Sequence, residues 1–349
     1  MRAAILLTPG VIEVRDIPRP RPRRGELLVH VHTALTCGTD LKAFRRGHPV
    51  IPMPGPFGHE FSGFVTEVGK GVRRFREGDA IMAVHSAPCR SCQYCKRKLY
   101  NHCDHIMETK ILGAFAEEIL LPAHIVSQNV FPKPSHLSFS EAAMLEPLAC
   151  VVHGLEMLGT KRDGYALIIG AGPIGLLHLL LLKKRGFSVA VMDTNRARLA
   201  IAKNLGADRT ITAEDGQLLR TLSPRKEILR RTKTDRIGMF DCVFECTGSR
   251  DVWEESVTYV RKGGTVILFG GCPSGTSVTY DAGRLHYDEI TLRGVFHFRP
   301  EDVKKAYDLL CGSKVGVLPL VSGCFPLSRI QHVFELLSKG KGIKYAIIP

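Results

Sequence analysis

The strongest constraint on the fold is a glycine-rich turn that joins an apolar run to a leucine-rich run at residues 165–182. Residues 166–169 are apolar and include two isoleucines, which predicts a short strand buried on both faces. Gly170, Gly172 and Gly175 follow in a G-x-G-x-x-G pattern, and the leucines after them predict a helix that ends near Gly186. This order of strand, tight turn and helix is typical of a dinucleotide-binding βαβ unit.

Each residue of this turn has an expected part in binding a pyrophosphate. Gly170 permits the turn, Gly172 lets the pyrophosphate approach the backbone, and Gly175 lets the helix pack closely on the strand. Pro173 and Ile174 begin the helix, whose free N–H groups and positive dipole end would face the anion. We therefore expect these five residues to bind the cofactor.

The second predicted strand, at residues 188–192, supports this interpretation because it ends at an acidic residue. Asp193 lies 18 residues after Gly175, and its side chain can accept hydrogen bonds from both hydroxyls of a ribose. A carboxylate there repels a 2′-phosphate, which predicts NAD rather than NADP. Arg196 and Arg198 follow closely, and an arginine beside the ribose would soften that preference. A glycine-rich turn with a merely solvated aspartate is disfavoured because strand, spacing and acid agree.

Four of the eleven cysteines form a second informative pattern. Cys89, Cys92, Cys95 and Cys103 are spaced as C-x2-C-x2-C-x7-C. Four thiolates close a tetrahedral zinc site without an open position, so such a site is structural. An iron–sulfur cluster is disfavoured because its usual motif continues C-x2-C-x3-C-P. A zinc finger would need a base-contacting helix, for which residues 96–101 are too short.

A third group of possible ligands is weaker when taken alone. Cys37 is followed about twenty residues later by His59 and Glu60. Thiolate and imidazole suit zinc, with a carboxylate as third ligand, although a buried cysteine and a satisfied loop histidine would explain the same residues. Glu146 lies in an apolar stretch where Pro147 must bend or restart a helix. A carboxylate there is costly unless it is paired or metal-bound.

Composition limits the class of protein. The 349 residues are 44% hydrophobic, and this length predicts about two domains with a full core. The longest apolar run, residues 174–182, is interrupted by His178 and is too short to span a bilayer. With no visible export signal, we expect reduced thiols and a cytoplasmic location. The net charge of +14 is dispersed, which favours a solubilising surface over nucleic-acid binding.

The chain changes character along its length. Its beginning alternates and predicts strands at 2–7, 11–15 and 26–35, with further strands at 113–122 and 125–130. From residue 165 the pattern predicts six strands, at 166–169, 189–193, 209–211, 241–245, 265–269 and 290–295, which suits a doubly wound parallel sheet. Helices are predicted at 300–310 and 327–337, and a closing strand at 344–348. The basic segment 212–238 is expected to form an exposed helix and loop with no assigned role.

Taken in order, these motifs resemble the zinc-containing medium-chain alcohol dehydrogenase family, most closely its sorbitol/threonine dehydrogenase branch. The resemblance rests on C-G-T-D from Cys37, G-H-E around His59, the four-cysteine lobe, E-P-L from Glu146, and the glycine turn with Asp193. It runs the length of the chain. Within the branch, the stretches at residues 37–42 and 286–294 look most like the 2-deoxy-scyllo-inosamine dehydrogenases.

The resemblance implies an α/β fold in which a doubly wound Rossmann sheet is inserted in a β-rich, GroES-like catalytic domain. The catalytic domain would comprise residues 1–145 and 297–349, with a structural zinc lobe at 86–105, and the NAD-binding Rossmann domain would comprise residues 146–296. The active site would lie in the cleft between the two domains. The family also implies a homodimer or homotetramer that acts on a small molecule, without nucleic-acid or membrane partners.

The resemblance also implies the chemistry. A catalytic zinc would be ligated by Cys37, His59 and Glu60, with Glu146 as a fourth ligand or as the residue that holds the zinc-bound water. The zinc would lower the pKa of a substrate hydroxyl, and a hydride would pass to NAD. Thr39 matches the family's hydroxyl that carries the proton away.

One position departs from the family. The proton relay often continues to a histidine three residues after this threonine, where the sequence has Lys42. Lys42 could relay the proton, contact a polar or anionic substrate together with Arg45 and Arg46, or remain a solvated surface lysine.

The expected function is a zinc- and NAD-dependent dehydrogenase that oxidises a secondary alcohol of a polyol, cyclitol or aminocyclitol to a ketone. An L-threonine 3-dehydrogenase and a polyol-phosphate dehydrogenase are alternatives within the family. From another class, a basic zinc-dependent nucleic-acid-binding protein is the alternative. A zinc-free enone reductase of the same fold is disfavoured because such enzymes lack the four-cysteine lobe and the set of Cys37, His59 and Glu60.

Overall fold

A computed structural model describes residues 1–159, 163–212 and 240–349. They divide into two compact units, the first formed by Met1–Val152 with His297–Pro349 and the second by His153–Phe296. The sequence predicts this boundary between residues 145 and 146, whereas the division lies seven residues later, between Val152 and His153, inside the helix Leu145–Glu156. Apart from Thr212, the basic segment 212–238 lies outside the described residues.

The strands and helices are numbered here in chain order. The strands are β1 (Arg2–Thr8), β2 (Val11–Asp16), β3 (Leu27–Leu35), β4 (Gly55–Pro56), β5 (Glu60–Val68), β6 (Ala80–Ala83), β7 (Glu118–Leu121), β8 (Val130–Pro132), β9 (Gly164–Ile169), β10 (Phe187–Asp193), β11 (Arg209–Thr212), β12 (Phe240–Glu245), β13 (Val260–Leu268), β14 (Thr291–Gly294), β15 (Val321–Pro326) and β16 (Lys344–Ile348). The helices are α1 (Gly38–Arg46), α2 (Gln93–Lys96), α3 (Ala123–Asn129), α4 (Phe139–Ala142), α5 (Leu145–Glu156), α6 (Pro173–Lys184), α7 (Arg196–Asn204), α8 (Arg250–Tyr259), α9 (Ala282–Tyr287), α10 (Pro300–Cys311) and α11 (Ile330–Ser338).

The first unit is organised around β3, which pairs antiparallel with β5, β7 and β16. The larger sheet has the order β15-β16-β3-β5-β6-β8, and a smaller sheet has the order β2-β1-β4. Phe57, Phe115 and Phe334 pack with ring centroids 4.9–5.9 Å apart in the core. Because β16 follows the whole second unit in the sequence, two distant chain segments complete one sheet.

One predicted strand is wrong. Residues 125–130 form most of α3 and only then enter β8. Ile125, Val126 and Asn129 are its buried residues, and their spacing places them on one face of a helix. The β-branched pair suggested a strand, but Asn129 donates from Nδ2 to the carbonyl of Ser86 at 2.7 Å, which fixes the end of the helix inside the unit.

Two other predicted elements have different lengths. The strand expected at 113–122 is confined to β7, because Gly113 and Ala114 donate to the carbonyl of Gly58 and Ala116 forms only an isolated bridge with Ala3. The helix expected at 327–337 begins with a 3-10 turn, Leu327–Arg329, and continues as α11.

The second unit contains the predicted parallel sheet, with the order β11-β10-β9-β12-β13-β14. Since β9 is the first of these strands in the chain, the order in the sheet is that of a doubly wound Rossmann fold, and the strand order reverses between β9 and β12. Leu167, Ile168, Val243 and Val266 are fully buried in these central strands. The predicted fold class is therefore confirmed.

The leucine-rich helix α6 begins at Pro173, as the glycine turn predicts, and has Arg185 at its C-cap. It runs for 12 residues, which is well short of the span of a bilayer. Across the described ranges, no helix combines the length and apolarity needed to cross a membrane.

Candidate active site and metal centres

The pairing of β3 with β5 brings Cys37 close to His59 and Glu60. Leu35 at the end of β3 lies opposite Glu60 at the start of β5. Cys37, just after β3, therefore lies close to Glu60 and to His59, which directly precedes β5. Cys37 is the N-cap of α1, and its Sγ accepts a hydrogen bond from the Thr39 N–H at 3.5 Å. One ligand atom each from Cys37, His59 and Glu60 lies within 4.8 Å of the others.

Glu60 is held by Lys344, a residue that belongs to none of the sequence motifs. The Glu60 side chain is fully buried, and Oε1 accepts a hydrogen bond from Lys344 Nζ at 2.8 Å. Lys344, only 1% exposed, also donates to the carbonyl of Thr36 at 2.8 Å. Glu60 Oε2 lies 2.5 Å from the same Nζ but without hydrogen-bond geometry, so this oxygen retains a lone pair for another partner.

The charges of this pair are set by opposing effects. Burial raises the pKa of Glu60 to about 7, although Lys344 acts in the opposite direction. Burial would lower the pKa of Lys344, but the Glu60 carboxylate outweighs it and the pKa is raised. The pair is therefore an ion pair within the unit, and each charge depends on the other.

His59 is oriented by Asp40, which lies buried on α1. His59 Nδ1 is 3.3 Å from Asp40 Oδ1. Burial alone would lower the pKa of His59, but Asp40 and then Cys37 outweigh it, and the pKa is raised well above its ordinary value. A carboxylate that contacts a histidine in this way fixes the ring orientation of a metal ligand.

The four cysteines of the predicted lobe also converge. The Sγ atoms of Cys89, Cys92, Cys95 and Cys103 all lie within 4.8 Å of one another. Cys89 Sγ accepts hydrogen bonds from the N–H groups of Ser91 and Cys92 at 3.4 Å, and Cys103 Sγ accepts one from the Cys89 N–H at 3.3 Å. Backbone donors that surround sulfur stabilise thiolate, the form that binds a metal.

The pKa values of these thiols are shifted in opposite directions. Hydrogen bonds from Ser91 lower the pKa of Cys89 to about 6, whereas burial raises the pKa of Cys95 to about 12. Four thiolates at this separation repel one another, so the donor set fits a divalent cation that neutralises them. All eleven cysteines lie among the described residues, and none of them forms a disulfide.

The glycine turn in the second unit has the geometry that the sequence predicts. Gly170 has φ +104, a conformation that glycine adopts readily. A Cβ at Gly175 would lie 1.9 Å from the Gly170 carbonyl oxygen, whereas a Cβ at Gly172 would meet nothing within 4 Å. Gly175 therefore permits close packing, and Gly172 leaves an open approach to the N-terminus of α6, as a bound pyrophosphate requires.

Asp193 is fixed at the end of β10 beside this turn. Its Oδ2 accepts a hydrogen bond from the Ala171 N–H at 2.6 Å, and Oδ1 accepts one from the Asn195 N–H at 2.7 Å. Arg198 lies in the first turn of α7, and its Nε has no hydrogen-bond partner within the described part of the chain. The carboxylate keeps further lone pairs for a ribose hydroxyl.

Comparison with known proteins identifies the family. Residues 23–134 match the alcohol dehydrogenase GroES-like domain, and residues 173–311 match the zinc-binding dehydrogenase family. The sorbitol dehydrogenase of Ovis aries is 30% identical over 347 residues, covering 97% of this chain and 94% of that protein. The L-threonine 3-dehydrogenase of Bacillus velezensis is 31% identical, covering 96% and 95%. The chain belongs to the zinc-containing medium-chain alcohol dehydrogenase family.

Solved structures agree with this assignment. The alcohol dehydrogenase TADH from Thermus sp. ATN1 has a TM-score of 0.86 at 27% identity and covers 100% of this chain and 99% of its own. A candidate zinc-binding dehydrogenase from Sinorhizobium meliloti 1021, bound to NADP, has a TM-score of 0.88 at 28% identity with the same coverage. The predicted resemblance and enzyme class are confirmed, and zinc and a nicotinamide dinucleotide are cofactors of this dehydrogenase.

Glu146 lies beside, not within, the three-residue set of the dehydrogenase. The capping box of Ser138 and Glu141 starts α4, and α5 begins afresh at Leu145, so Pro147 falls in its first turn where it costs little. The buried Glu146 Oε1 lies 3.5 Å from His85 Nδ1 and accepts a hydrogen bond from Cys150 Sγ at 3.6 Å. Burial raises the pKa of Glu146.

His85 extends the dehydrogenase site beyond the predicted residues. Its ring centroid lies 5.0 Å from that of His59 and 5.3 Å from that of His297. His297 Nε2 is 2.7 Å from Ser86 Oγ, and Phe298 is buried 5.9 Å from the His85 ring. His297 and Phe298, which follow β14 in the chain, therefore both lie beside the His85 ring.

The polar residues of α1 have different environments. Thr39 and Lys42 are partly buried one helical turn apart, and i, i+3 residues share a face. Arg45 instead donates to the carbonyl and hydroxyl of Ser338 at the end of α11. Burial, followed by the charges of Lys42 and Arg46, lowers the pKa of His48.

Proposed function

We propose that this dehydrogenase oxidises a secondary alcohol of a polyol or cyclitol to a ketone, at a zinc held by Cys37, His59 and Glu60. The observation that carries the proposal is the convergence of these three ligand atoms within 4.8 Å. One thiolate, one imidazole and one carboxylate would give a zinc three protein ligands, the number typical of a catalytic site that keeps a position for water or substrate. Relatives named for sorbitol and L-threonine support a small hydroxylated substrate.

When bound, zinc would supply the Lewis acidity that lowers the pKa of the substrate hydroxyl, and the nicotinamide would accept the hydride. The chain supplies the supports. Lys344 holds Glu60 through its hydrogen bond at 2.8 Å, and Asp40 orients the His59 ring. We place Glu146 as a neighbouring negative charge that acts from beside His85, rather than as one of the three ligands.

The proton of the substrate hydroxyl needs a route, and α1 offers one. Thr39 is two residues beyond Cys37 and its backbone N–H already contacts the Cys37 sulfur. We propose that its hydroxyl receives the proton and that Lys42, on the same face of the helix, is the next group. Lys42 thereby takes the position at which related enzymes often have histidine.

For the cofactor we propose NAD. The Asp193 carboxylate is fixed by two backbone N–H groups, so its negative charge stays at the end of β10. A 2′-phosphate at that strand end would meet this charge directly. For the cellular location we propose the cytoplasm, which fits eleven cysteines that form no disulfide. For the assembly we propose a homodimer or homotetramer, to be tested by light scattering.

The central test compares the two cysteine sets. We expect two zinc ions per chain in the wild type. Cys37→Ala should lose one zinc and reduce kcat/KM for the best alcohol by at least roughly a hundredfold, because several kcal/mol of transition-state stabilisation are removed. Its Tm should stay near that of the wild type. Cys95→Ser should also lose one zinc but should lower Tm strongly, because a structural zinc contributes directly to folding.

Metal analysis, thermal melting and NAD-linked absorbance across sorbitol, inositols, aminocyclitols and L-threonine provide the readouts. Cys324→Ala, at an exposed thiol, is the matched control and should behave as the wild type. Full turnover in Cys37→Ala would show that the zinc assignment is wrong. Preference for L-threonine over every polyol would select the threonine dehydrogenase alternative.

A second candidate substrate class is an anionic polyol, and Lys110 supports it. Lys110 Nζ is partly buried and donates to the Met107 carbonyl at 2.9 Å, and no carboxylate of the described residues pairs with it. The neighbouring Ile111 N–H donates to the His85 carbonyl at 2.8 Å, which places Lys110 beside His85. Burial lowers the pKa of Lys110. Burial is also the main cause that lowers the pKa of His48 and of His85, and the charge of Lys110 adds a smaller effect in the same direction.

A phosphorylated or carboxylated polyol should then have a lower KM than the free polyol at low salt. Lys110→Met should remove this gain and leave the KM of the free polyol unchanged. If anionic substrates show no gain in the wild type, the neutral polyol remains and the anionic class is rejected.

A further inference from the structure

The loop that follows β12 lies at the point where the strand order of the sheet reverses. Ligands of doubly wound sheets bind outside the carboxyl ends of the strands at this point. The Cys246 N–H donates to the Ile169 carbonyl at 2.9 Å, which ties the loop to the end of β9. A Cβ at Gly170 would lie 3.0 Å from Thr247 Cγ2. Residues 246–249 therefore form a wall directly beside the glycine turn.

One buried carboxylate shapes this wall. Glu245 Oε1 accepts three hydrogen bonds, from the Thr247 N–H at 2.6 Å, the Thr247 hydroxyl at 2.5 Å and the Gly248 N–H at 3.0 Å. The Thr247 Oγ1 in turn accepts a hydrogen bond from the Ser249 N–H at 3.1 Å. Because a single oxygen collects these donors, the loop is folded back over the side chain that precedes it.

This arrangement lowers the stability of the folded state more than a purely structural turn would. Glu245 is fully buried, and burial raises its pKa. Its Oε2 has no hydrogen-bond partner within the described residues, and a Cβ at Gly270 would lie 2.7 Å from it. A buried charged group with an unpartnered oxygen costs stability, whereas an ordinary turn would be closed by backbone bonds or an exposed Asp or Ser.

Asp193 holds the corresponding position on the other side of β9. It lies at the end of β10 and accepts N–H groups of Ala171 and Asn195. The half of a Rossmann fold that carries this acid takes the adenosine ribose, so the half that begins with β12 takes the nicotinamide nucleotide. The two acids thus hold the turns on opposite sides of the glycine motif.

We propose that Glu245 is a positioning residue that holds the loop 246–249 as the wall against which the nicotinamide half of the dinucleotide is placed. The inference rests on the dinucleotide binding of the proposed function. It assigns the adenosine half to Asp193 and the nicotinamide half to Glu245. By occupying the Thr247 and Gly248 N–H groups, Glu245 also leaves the N-terminus of α6 as the site of the pyrophosphate.

The test compares NADH with ADP-ribose, which lacks the nicotinamide, by isothermal titration calorimetry on the zinc-loaded protein. Glu245→Ala should weaken NADH binding by roughly tenfold or more, since three donors lose their acceptor. ADP-ribose affinity should stay within about twofold, and zinc content should not change. Asp193→Asn, which lies on the adenosine half, should weaken both ligands.

Thr247 supplies a milder pair of variants in case Glu245→Ala does not fold. Thr247→Ser keeps the hydroxyl that donates to Glu245 and should bind NADH as the wild type does. Thr247→Val loses it and should lower NADH affinity selectively. The single tryptophan, Trp253 on α8, donates from Nε1 to the Gly270 carbonyl at 2.8 Å, so its emission reports on this region directly.

If Glu245→Ala and Thr247→Val lost affinity for NADH and for ADP-ribose equally, Glu245 would be only a general stabilising residue and the proposal would be overturned. Unchanged NADH affinity in both variants would overturn it as well. A wild type that binds neither ligand would instead reject the proposed function, so the two failures are distinguishable.

Discussion

The proposed metal set of the first unit (Cys37, His59 and Glu60) and the glycine turn of the second unit (Gly170–Gly175) are assembled in opposite ways. The turn is local, because Gly170, Gly175 and Asp193 lie within one βαβ unit and are joined by contacts such as Asp193 Oδ2 to the Ala171 N–H. The metal set is non-local. Cys37 and Glu60 meet through antiparallel strands, and their support Lys344 lies 284 residues beyond Glu60. A local site is specified by a short sequence pattern, whereas a non-local site depends on the completed sheet.

The largest expected effect breaks the non-local site. In Lys344→Met, Glu60 loses the partner of its buried charge, and removing one member of a buried pair costs about 3–5 kcal/mol. Urea unfolding should show this loss in the free energy of unfolding. The double variant Glu60→Gln with Lys344→Met should recover part of it, since no charge is left unpaired. Equal stability of the single variant and the wild type would contradict the ion pair.

The next effect concerns the acid stability of the local site. His178 lies buried on α6 behind the glycine turn; its Nδ1 is 3.0 Å from the Ile174 carbonyl, and its Nε2 has no partner among the described residues. Burial lowers the pKa of His178 to about 4 from its ordinary 6.5. The unfolded chain therefore binds this proton more tightly, so stability is complete above pH 6.5 and is lost as the pH falls toward 4.

The loss from this group should reach about 3 kcal/mol near pH 4. His178→Gln should flatten the dependence of unfolding free energy on pH between 6.5 and 4, whereas His286→Gln, at an exposed position, should not. Denaturant melts at several pH values measure both. A wild type and a His178→Gln variant with parallel pH profiles would contradict the buried neutral imidazole.

The smallest effect refines the local site without breaking it. Asp193→Asn keeps one acceptor oxygen for the backbone N–H groups but removes the negative charge. The ratio of kcat/KM for NAD to that for NADP should fall roughly tenfold, which corresponds to about 1.4 kcal/mol. Steady-state kinetics with both cofactors measure the ratio. An unchanged ratio would mean that residues other than Asp193 discriminate NAD from NADP, and Arg198 would be the first of them to test.

The same contrast explains what could be predicted from sequence. The six strands of the parallel sheet and the roles of Gly170 and Gly175 follow from periodicity and steric rules that act over a few residues. Ile125 and Val126 predict a strand because β-branched residues favour strands. They form a helix instead, whose end is fixed by the hydrogen bond from Asn129 to the Ser86 carbonyl.

The residues that surround and hold the proposed metal ligands could not be predicted from the sequence. Lys344 opens an otherwise apolar strand, which is its only signal in the sequence. His85 precedes the cysteine lobe without any motif, and its place beside His59 depends on β5 pairing with β6. Asp40 was visible as part of C-G-T-D, but its contact with His59 depends on the same pairing of β3 with β5 that brings Cys37 to Glu60.

The pairing of β16 with β3 also has a consequence for biosynthesis. Residues 153–296 leave the ribosome before residues 344–348, so the second unit can fold while β3 still lacks one of its neighbours. During that interval an apolar edge with free N–H and C=O groups is open to other chains. Chaperones that shield nascent chains would therefore matter most while residues 344–348 are being synthesised.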